Sequence, residues 1–137
     1  MGARTFRLGN SLESIAELIA FVEAFAEEEG VPMAAAMHLQ LAIEEAATNV
    51  VRHGFGAGGG EATVLLSREG DCVKVEIVDD APAFDPLSVA APDIDAPLHE
   101  RELGGLGIEM IRKMTDRQEY RREDGRNRLL LVKTLAE

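Results

Sequence analysis

The stretch PMAAAMHLQLAIEEAATNVVRH, residues 32–53, decides the fold class because it has the pattern of one long amphipathic helix. Pro32 suits the first turn of a helix, where its missing N–H is not needed. Apolar residues then recur at steps of three and four, which is the spacing of one helical face. The face expected to be buried contains Leu39, Ile43, Ala46 and Val50. We therefore predict a helix from about Pro32 to His53 that packs one side on a core.

A second helix and a short strand precede this stretch. Asn10 and Ser11 can each cap a helix, because their side-chain oxygens can accept hydrogen bonds from the free N–H groups of its first turn. The apolar residues that follow at helical spacing are Leu12, Ile15, Ile19, Val22 and Ala26. The helix is expected to end near Gly30, and Arg4–Leu8 before it is a candidate edge strand.

Beyond residue 53 the apolar spacing changes to alternation, which is the pattern of strands. Two alternating segments flank a turn at residues 69–71 and predict a hairpin. Their apolar residues are Ala62, Val64, Leu66, Val73, Val75 and Ile77. A second hairpin is predicted to turn at Asp124-Gly125, between residues 118–122 and 127–133.

A long loop and a third helix lie between the two hairpins. Residues 81–103 hold four of the five prolines and show no sustained period. Loops longer than about 12–15 residues in small domains are usually functional or disordered, so this segment is a candidate lid. Gly104-Gly105-Leu106-Gly107 then opens a helix that is expected to run to about Met114.

The order of these elements is strand, helix, helix, strand, strand, long loop, helix, strand, strand. Helices combined with antiparallel hairpins indicate an α+β fold, here a two-layer α/β sandwich with helices packed on one face of a mixed, mostly antiparallel sheet. The 137 residues are close to the commonest size of a domain, so a single domain over residues 1–137 is expected.

Composition argues against several classes of protein. The net charge of −11 argues against direct binding of nucleic acid through phosphate contacts. No apolar run approaches the roughly 20 residues that span a bilayer, and no secretory signal is evident, so a cytoplasmic protein without a membrane segment is expected. One cysteine and three histidines argue against a structural zinc site, so a metal would be held by oxygen ligands.

Charge is distributed unevenly along the chain. No Lys or Arg occurs between Leu8 and Val51, whereas the segment from Arg112 to Lys133 carries eight basic and four acidic residues. Such asymmetry can steer the approach of a protein partner, although a solvated charged surface explains it equally well.

Polar residues near the end of the 32–53 helix share one stripe beside its apolar face. Glu45 and Asn49 lie one helical turn apart, and Arg52 follows one further turn on, whereas Glu44 points elsewhere. Two oxygen-bearing side chains at that spacing can hold a hard cation such as Mg²⁺, or can act as base and metal ligand. The same spacing occurs on ordinary solvated helix edges, so spacing alone leaves both interpretations open.

Two further clusters contain the residue types that nucleotide sites use. Asp79 lies at a strand end, where a carboxylate can accept a hydrogen bond from an amino group such as that of adenine. The small residues Ala81 and Ala83 after it let a ring approach the backbone. The glycines of residues 104–107, at a helix N-terminus, offer free N–H groups to a phosphate. Each cluster by itself is also explained by a turn or a cap.

The three clusters together, in this order, resemble the N, G1 and G2 boxes of the GHKL ATPase superfamily. Within it, the chain is most similar to the small RsbW-type anti-sigma-factor serine/threonine kinases of bacteria. The resemblance implies a Bergerat-type α/β sandwich that binds ATP or ADP between the helical layer and the long loop. It implies that Glu45 is the catalytic base, that Asn49 is the Mg²⁺ ligand and that Asp79 recognises the adenine amino group. The residues implied to contact nucleotide are Asn49, Asp79, Ala81, Ala83, Gly104, Gly105, Leu106 and Gly107.

The function implied by the resemblance is that of a serine/threonine protein kinase and anti-sigma factor. Such a kinase uses Mg-ATP to phosphorylate an anti-anti-sigma protein of the STAS type, sequesters a sigma factor and forms a homodimer. Ala81 and Ala83 stand where the G1 box has glycines, which leaves open whether catalysis is retained. The alternative is a partner-switching binding module that is non-catalytic or gated by nucleotide. Arg52 and Arg101 are the candidates for a basic residue that clamps the phosphates.

Overall fold

The computed structural model describes residues 3–54, 62–88 and 103–135. These residues form a five-stranded sheet with three helices packed on one face. The strands are β1 (Arg4–Leu8), β2 (Ala62–Glu69), β3 (Cys72–Asp79), β4 (Arg117–Glu123) and β5 (Arg126–Thr134). The helices are α1 (Leu12–Glu28), α2 (Met33–Asn49) and α3 (Leu103–Met114). This order of elements is the predicted one, and the α+β sandwich is confirmed. No helix within these residues combines the length and apolar character needed to cross a membrane.

The strands are ordered β1-β2-β3-β5-β4, and every neighbouring pair is antiparallel. The sequence predicts a mixed, mostly antiparallel sheet. The described strands contain no parallel pair, so this part of the sheet is antiparallel throughout. The physical reason is that β2–β3 and β4–β5 are hairpins, whose two-residue turns force antiparallel pairing. β5 also pairs antiparallel with β3, which places Asn127, near the start of β5, opposite Asp79, at the end of β3.

The face of the sheet toward the helices supplies half of the core. Buried residues alternate with more exposed ones along the strands, so that Val64, Ile77 and Leu129 lie side by side on β2, β3 and β5. Leu39 and Ile43 of α2 are each 1% exposed and belong to the same core. Burying a side chain of this size stabilises the fold by about 1.5–3 kcal/mol. The predicted core positions of β2, β3 and α2 are confirmed, except that Val50 is only partly buried and lies in the turn after α2.

Helix α1 has the predicted capping groups at both ends. Ser11 Oγ accepts a hydrogen bond from Ser14 N at 3.1 Å, and Ser14 Oγ accepts one from Gly9 N at 2.7 Å. Gly30 follows the helix with φ +66°, a conformation that glycine adopts without strain. Leu12, predicted on the buried face, is instead 80% exposed, because the buried face of the helix begins one turn later at Ile15.

Helix α2 ends in an irregular turn that its sequence pattern does not predict. The α-helix stops at Asn49, and Val50–Gly54 form a π-helix. The prediction of a regular helix to His53 is therefore wrong for these residues. A π-helix has more residues per turn than an α-helix, so Arg52 leaves the stripe shared by Glu45 and Asn49 and is exposed.

Helix α3 confirms the third predicted helix, and the residues 104–107 occupy its first turns. The lid-like loop predicted over residues 81–103 is described at its beginning, where Pro86–Ser88 form a 3-10 turn, and at Leu103. Residues 89–102, including Arg101, lie outside the described residues. The lid and the role of Arg101 stay predictions.

Candidate functional site

A cleft open to solvent lies between the end of α2 and the adjoining strands β3, β4 and β5, and it holds about 510 Å³ of space when the open solvent at its mouth is included. Its wall combines apolar side chains with a few polar ones, which is the usual composition of a small-molecule site. The lining residues are Ala46, Asn49, Val50, Ile77, Asp79, Ala81, Pro82, Phe84, Pro86, Tyr120, Asn127 and Leu129. The fold thus brings together residues that are far apart in sequence.

Helix α2 contributes the polar group of one wall. Asn49, the last residue of the helix, is half-buried and lines the cleft. Glu45 is half-buried one turn earlier, about 6 Å along the helix axis, and lies outside the lining. Asn49 thus belongs to the cleft wall, and Glu45 lies one helical turn before it, outside the lining. Glu44 also lies outside the cleft lining. Its backbone carbonyl oxygen accepts a hydrogen bond from Thr48 Oγ1 at 2.7 Å.

Strand β3 contributes a buried carboxylate to the opposite wall. Asp79 is 8% exposed and ends the strand, as predicted. Its Oδ1 accepts hydrogen bonds from Ala81 N at 3.0 Å and from Asn127 Nδ2 at 2.9 Å. Within the described part of the chain, Oδ2 has no hydrogen-bond donor. A ligand with an N–H group can therefore bind to Oδ2 without displacing a contact from the described residues.

Asn127 is the site residue that sequence reasoning missed. It is 6% exposed and lines the cleft beside Asp79. A signal was present in the strand pattern, because Asn127 occupies an inward-facing position of β5 that continues with the apolar Leu129 and Leu131. A polar residue at such a position must find hydrogen-bond partners inside the protein. Only the pairing of β5 with β3 shows that the partner is Asp79.

The segment after Asp79 forms part of the wall. Ala81 is buried and lines the cleft, whereas Ala83 is exposed and does not. Among the described residues other than glycine, only Asp124 has a positive φ, so neither alanine adopts a conformation that requires glycine. Arg122 Nη1 donates a hydrogen bond to the Ala81 carbonyl oxygen at 2.7 Å.

The predicted phosphate loop, residues 104–107, is described by its backbone. Leu103 begins α3, so Gly104, Gly105, Leu106 and Gly107 have helical backbone at its N-terminal end. Their surroundings lie outside what the structure describes, and their contact with phosphate remains a prediction. Free N–H groups and the helix dipole at such an end favour an anion.

The sequence family of the chain is shown by a match to the model of the "Histidine kinase-like ATPase domain", which covers residues 8–133. The chain belongs to this family. The matched segment of the ATPase domain begins at the end of β1 and extends almost to the end of β5. It therefore contains both walls of the cleft.

Two relatives of this ATPase domain are named as protein kinases. The chain is 33% identical over 95 residues to the serine/threonine-protein kinase BtrW of Bordetella bronchiseptica, covering 69% of this chain and 67% of the relative. It is 28% identical over 91 residues to the serine-protein kinase RsbW of Bacillus cereus. That match covers 64% of this chain and 57% of the relative, so the chain spans little more than half the length of RsbW.

The fold of this ATPase domain also occurs in a solved structure. The crystal structure of the RsbU and RsbW domains of Rv1364c from Mycobacterium tuberculosis matches the whole of this chain with a TM-score of 0.71. The sequence identity is 16%, and the match covers 33% of that longer chain. This likeness supports the architecture, which agrees with the predicted sandwich.

Proposed function

We propose that this ATPase domain is an ATP-dependent serine/threonine protein kinase and anti-sigma factor. It would phosphorylate an anti-anti-sigma partner of the STAS type and sequester a sigma factor, acting as a homodimer. The observation that carries the proposal is that Asn49 and Asp79, 30 positions apart in sequence, line one cleft with Glu45 a turn away from Asn49. The kinase names of BtrW and RsbW favour catalysis over binding alone.

The nucleobase would bind at the β3 wall of the cleft. Asp79 offers its free Oδ2 to the amino group of adenine, and the apolar side chains of Ile77 and Leu129 pack near the ring. Ala81 closes the wall beside it. Burial of Asp79 strengthens this hydrogen bond, because competing water is largely excluded.

Asn49 would hold Mg²⁺ together with the phosphates. Mg²⁺ prefers oxygen ligands and usually binds through one or two protein groups plus substrate phosphates. The described residues fit that mode, since Asn49 has an amide oxygen and lines the cleft. When bound, the ion would neutralise charge that develops on the phosphates. Gly104, Gly105 and Gly107 would contribute backbone N–H groups.

Glu45 would be the catalytic base. It would take the proton of the substrate serine or threonine hydroxyl as that oxygen forms a bond to the γ-phosphorus. The bond from the γ-phosphorus to the bridging oxygen breaks, and ADP leaves with the electron pair. Glu45 is half-buried and lies outside the cleft lining, which suits contact with a protein substrate that approaches from solvent. Positioning supplies most of the rate in such reactions, and the base adds the last proton step.

A partner-switching module gated by nucleotide is the second candidate function. The observation on its side is the buried methyl group of Ala81, which occupies the cleft wall where the family's box has glycine. In this case nucleotide binding would control partner affinity without transfer of phosphate.

Transfer of radiolabel from γ-labelled ATP to candidate STAS-type proteins distinguishes the two functions. Kinase activity predicts label on a serine or threonine of the partner, and its loss in Glu45→Ala. Binding of ATP by calorimetry without any transfer would establish the second function instead. Absence of nucleotide binding at millimolar concentration, with Mg²⁺ present, would refute both catalysis and gating by nucleotide, and would leave a non-catalytic binding module.

A further inference from the structure

The side-chain amide of Asn127 is held by hydrogen bonds at both its nitrogen and its oxygen. Nδ2 donates to Asp79 Oδ1 at 2.9 Å, to Pro82 O at 3.1 Å and to Ala81 O at 3.3 Å. Oδ1 accepts from Tyr120 Oη at 2.5 Å and from Phe84 N and Arg122 Nη1 at 3.2 Å each. All partners on one side are acceptors and all on the other are donors, so only one orientation of the amide is compatible with the site.

This orientation determines which part of Asp79 remains available. Asn127 Nδ2 and Ala81 N both donate to Oδ1. That oxygen accepts two hydrogen bonds from N–H groups, which fixes the plane of the carboxylate and keeps Oδ1 an acceptor. Oδ2 accepts no hydrogen bond from the described residues, and Asp79 lines the cleft, so this oxygen is the acceptor that remains for a ligand. An acceptor there matches a base with an amino group and opposes a base with an oxo group at the same position.

The same amide also holds the segment that follows Asp79. Its contacts with the backbone of Ala81, Pro82 and Phe84 tie residues 81–84 to β5 across 43 to 46 positions of sequence. The segment keeps its path without a positive φ. The Asn127 side chain therefore fixes the path of this segment through hydrogen bonds. In the family's box, glycines allow the segment to adopt backbone conformations that other residues disfavour.

We propose that Asn127 is a positioning residue that makes the cleft selective for a nucleobase bearing an exocyclic amino group. It acts through Asp79, whose free oxygen it orients, and through the loop wall. The inference rests on the proposed nucleotide binding and adds to it the origin of base selectivity. A purely structural role of Asn127 predicts instead that its loss lowers the affinity for all nucleotides equally.

The experiment compares the affinities of Mg-ATP and Mg-ITP by calorimetry, since ITP has an oxo group where ATP has the amino group. The wild-type chain is expected to prefer ATP by roughly 10- to 100-fold, the effect of one buried hydrogen bond against an unpaired acceptor. Asn127→Asp keeps the shape and exchanges the donor for a second carboxylate beside Asp79. It should lose most ATP affinity, and the ATP-over-ITP ratio should fall at least about tenfold.

Asn127→Ala is the second variant, because it removes the amide without adding charge. Its ratio should also fall toward one, with a smaller loss of ATP affinity than in Asn127→Asp. Thr115→Ala is the matched control, since Thr115 is also 6% exposed and hydrogen-bonded but lies outside the cleft lining. It should lower the melting temperature and leave the ratio unchanged.

The outcomes separate this inference from the proposed function. A wild-type chain that binds neither nucleotide refutes the proposed function and the inference with it. A wild-type preference for ATP that survives in both Asn127 variants overturns the inference and leaves the kinase proposal standing. A wild-type chain that binds ATP and ITP equally also overturns it, because Asp79 would then not select the base.

Discussion

Replacing Ala81 by glycine tests whether the departure from the family's box impairs the cleft or belongs to a different loop path. The Ala81 residue is 4% exposed, and its φ is not positive. Glycine therefore relieves no strain, and it raises the entropy of the unfolded chain, which costs about 0.4–1 kcal/mol. Loss of one buried methyl group costs about 0.8 kcal/mol more. The expected destabilisation of Ala81→Gly is the sum, about 1–2 kcal/mol.

The assay is a melting curve together with a calorimetric titration of ATP. For a domain of this length, the melting temperature should fall by roughly 4–8 °C. ATP affinity should stay within about twofold of wild type, since the backbone groups of residue 81 keep their partners in Asp79, Arg122 and Asn127. Ala83→Gly is the matched control, because Ala83 is exposed and should show only the entropy term of about 0.4–1 kcal/mol. A several-fold gain in ATP affinity in Ala81→Gly, without loss of stability, would refute the reasoning about this loop.

Three further predictions concern the proposed chemistry and partners. Glu45→Ala should lower phosphate transfer to a protein serine by about 10²- to 10⁴-fold in a radiolabel assay and leave ATP affinity nearly intact. Glu44→Ala should change transfer little, and the reverse result would show that the base is assigned to the wrong glutamate. Mg-ATP at a hundred times its dissociation constant should stabilise the wild-type fold by about 2.7 kcal/mol, and Asn49→Ala should lose the part of this effect that depends on Mg²⁺, so equal stabilisation of both proteins would contradict a role of Asn49 as ligand. If the acidic helix α1 or the basic segment at residues 112–133 meets a partner through charge, association measured by stopped flow should slow as salt rises, and a rate independent of salt would exclude such steering.

Most of the secondary structure could be predicted from the sequence because its causes are local. The turn of the last hairpin shows this most clearly, since Asp124 and Gly125 have φ of 53° and 74°, the two positive values that a tight hairpin turn requires. The caps of α1 and the alternation in β2 and β3 likewise depend on residues within one or two turns of the chain. The end of α2 was not predictable in this way, because the apolar spacing of Val50 and Val51 continues the helical pattern where the backbone changes to a π-helix.

The sequence by itself determined the elements and the core-facing stripes, because these depend on local spacing. It singled out Glu45, Asn49 and Asp79 only through the order of the three clusters and the family resemblance that this order carries. The tertiary structure alone decided that Asn49 and Asp79 face one cleft, that Glu45 lies beside its lining, and that Asn127 completes it. The physical reason is that a buried polar group needs a partner, and the partner of Asp79 lies 48 residues away on a strand whose place beside β3 depends on the packing of the whole sheet.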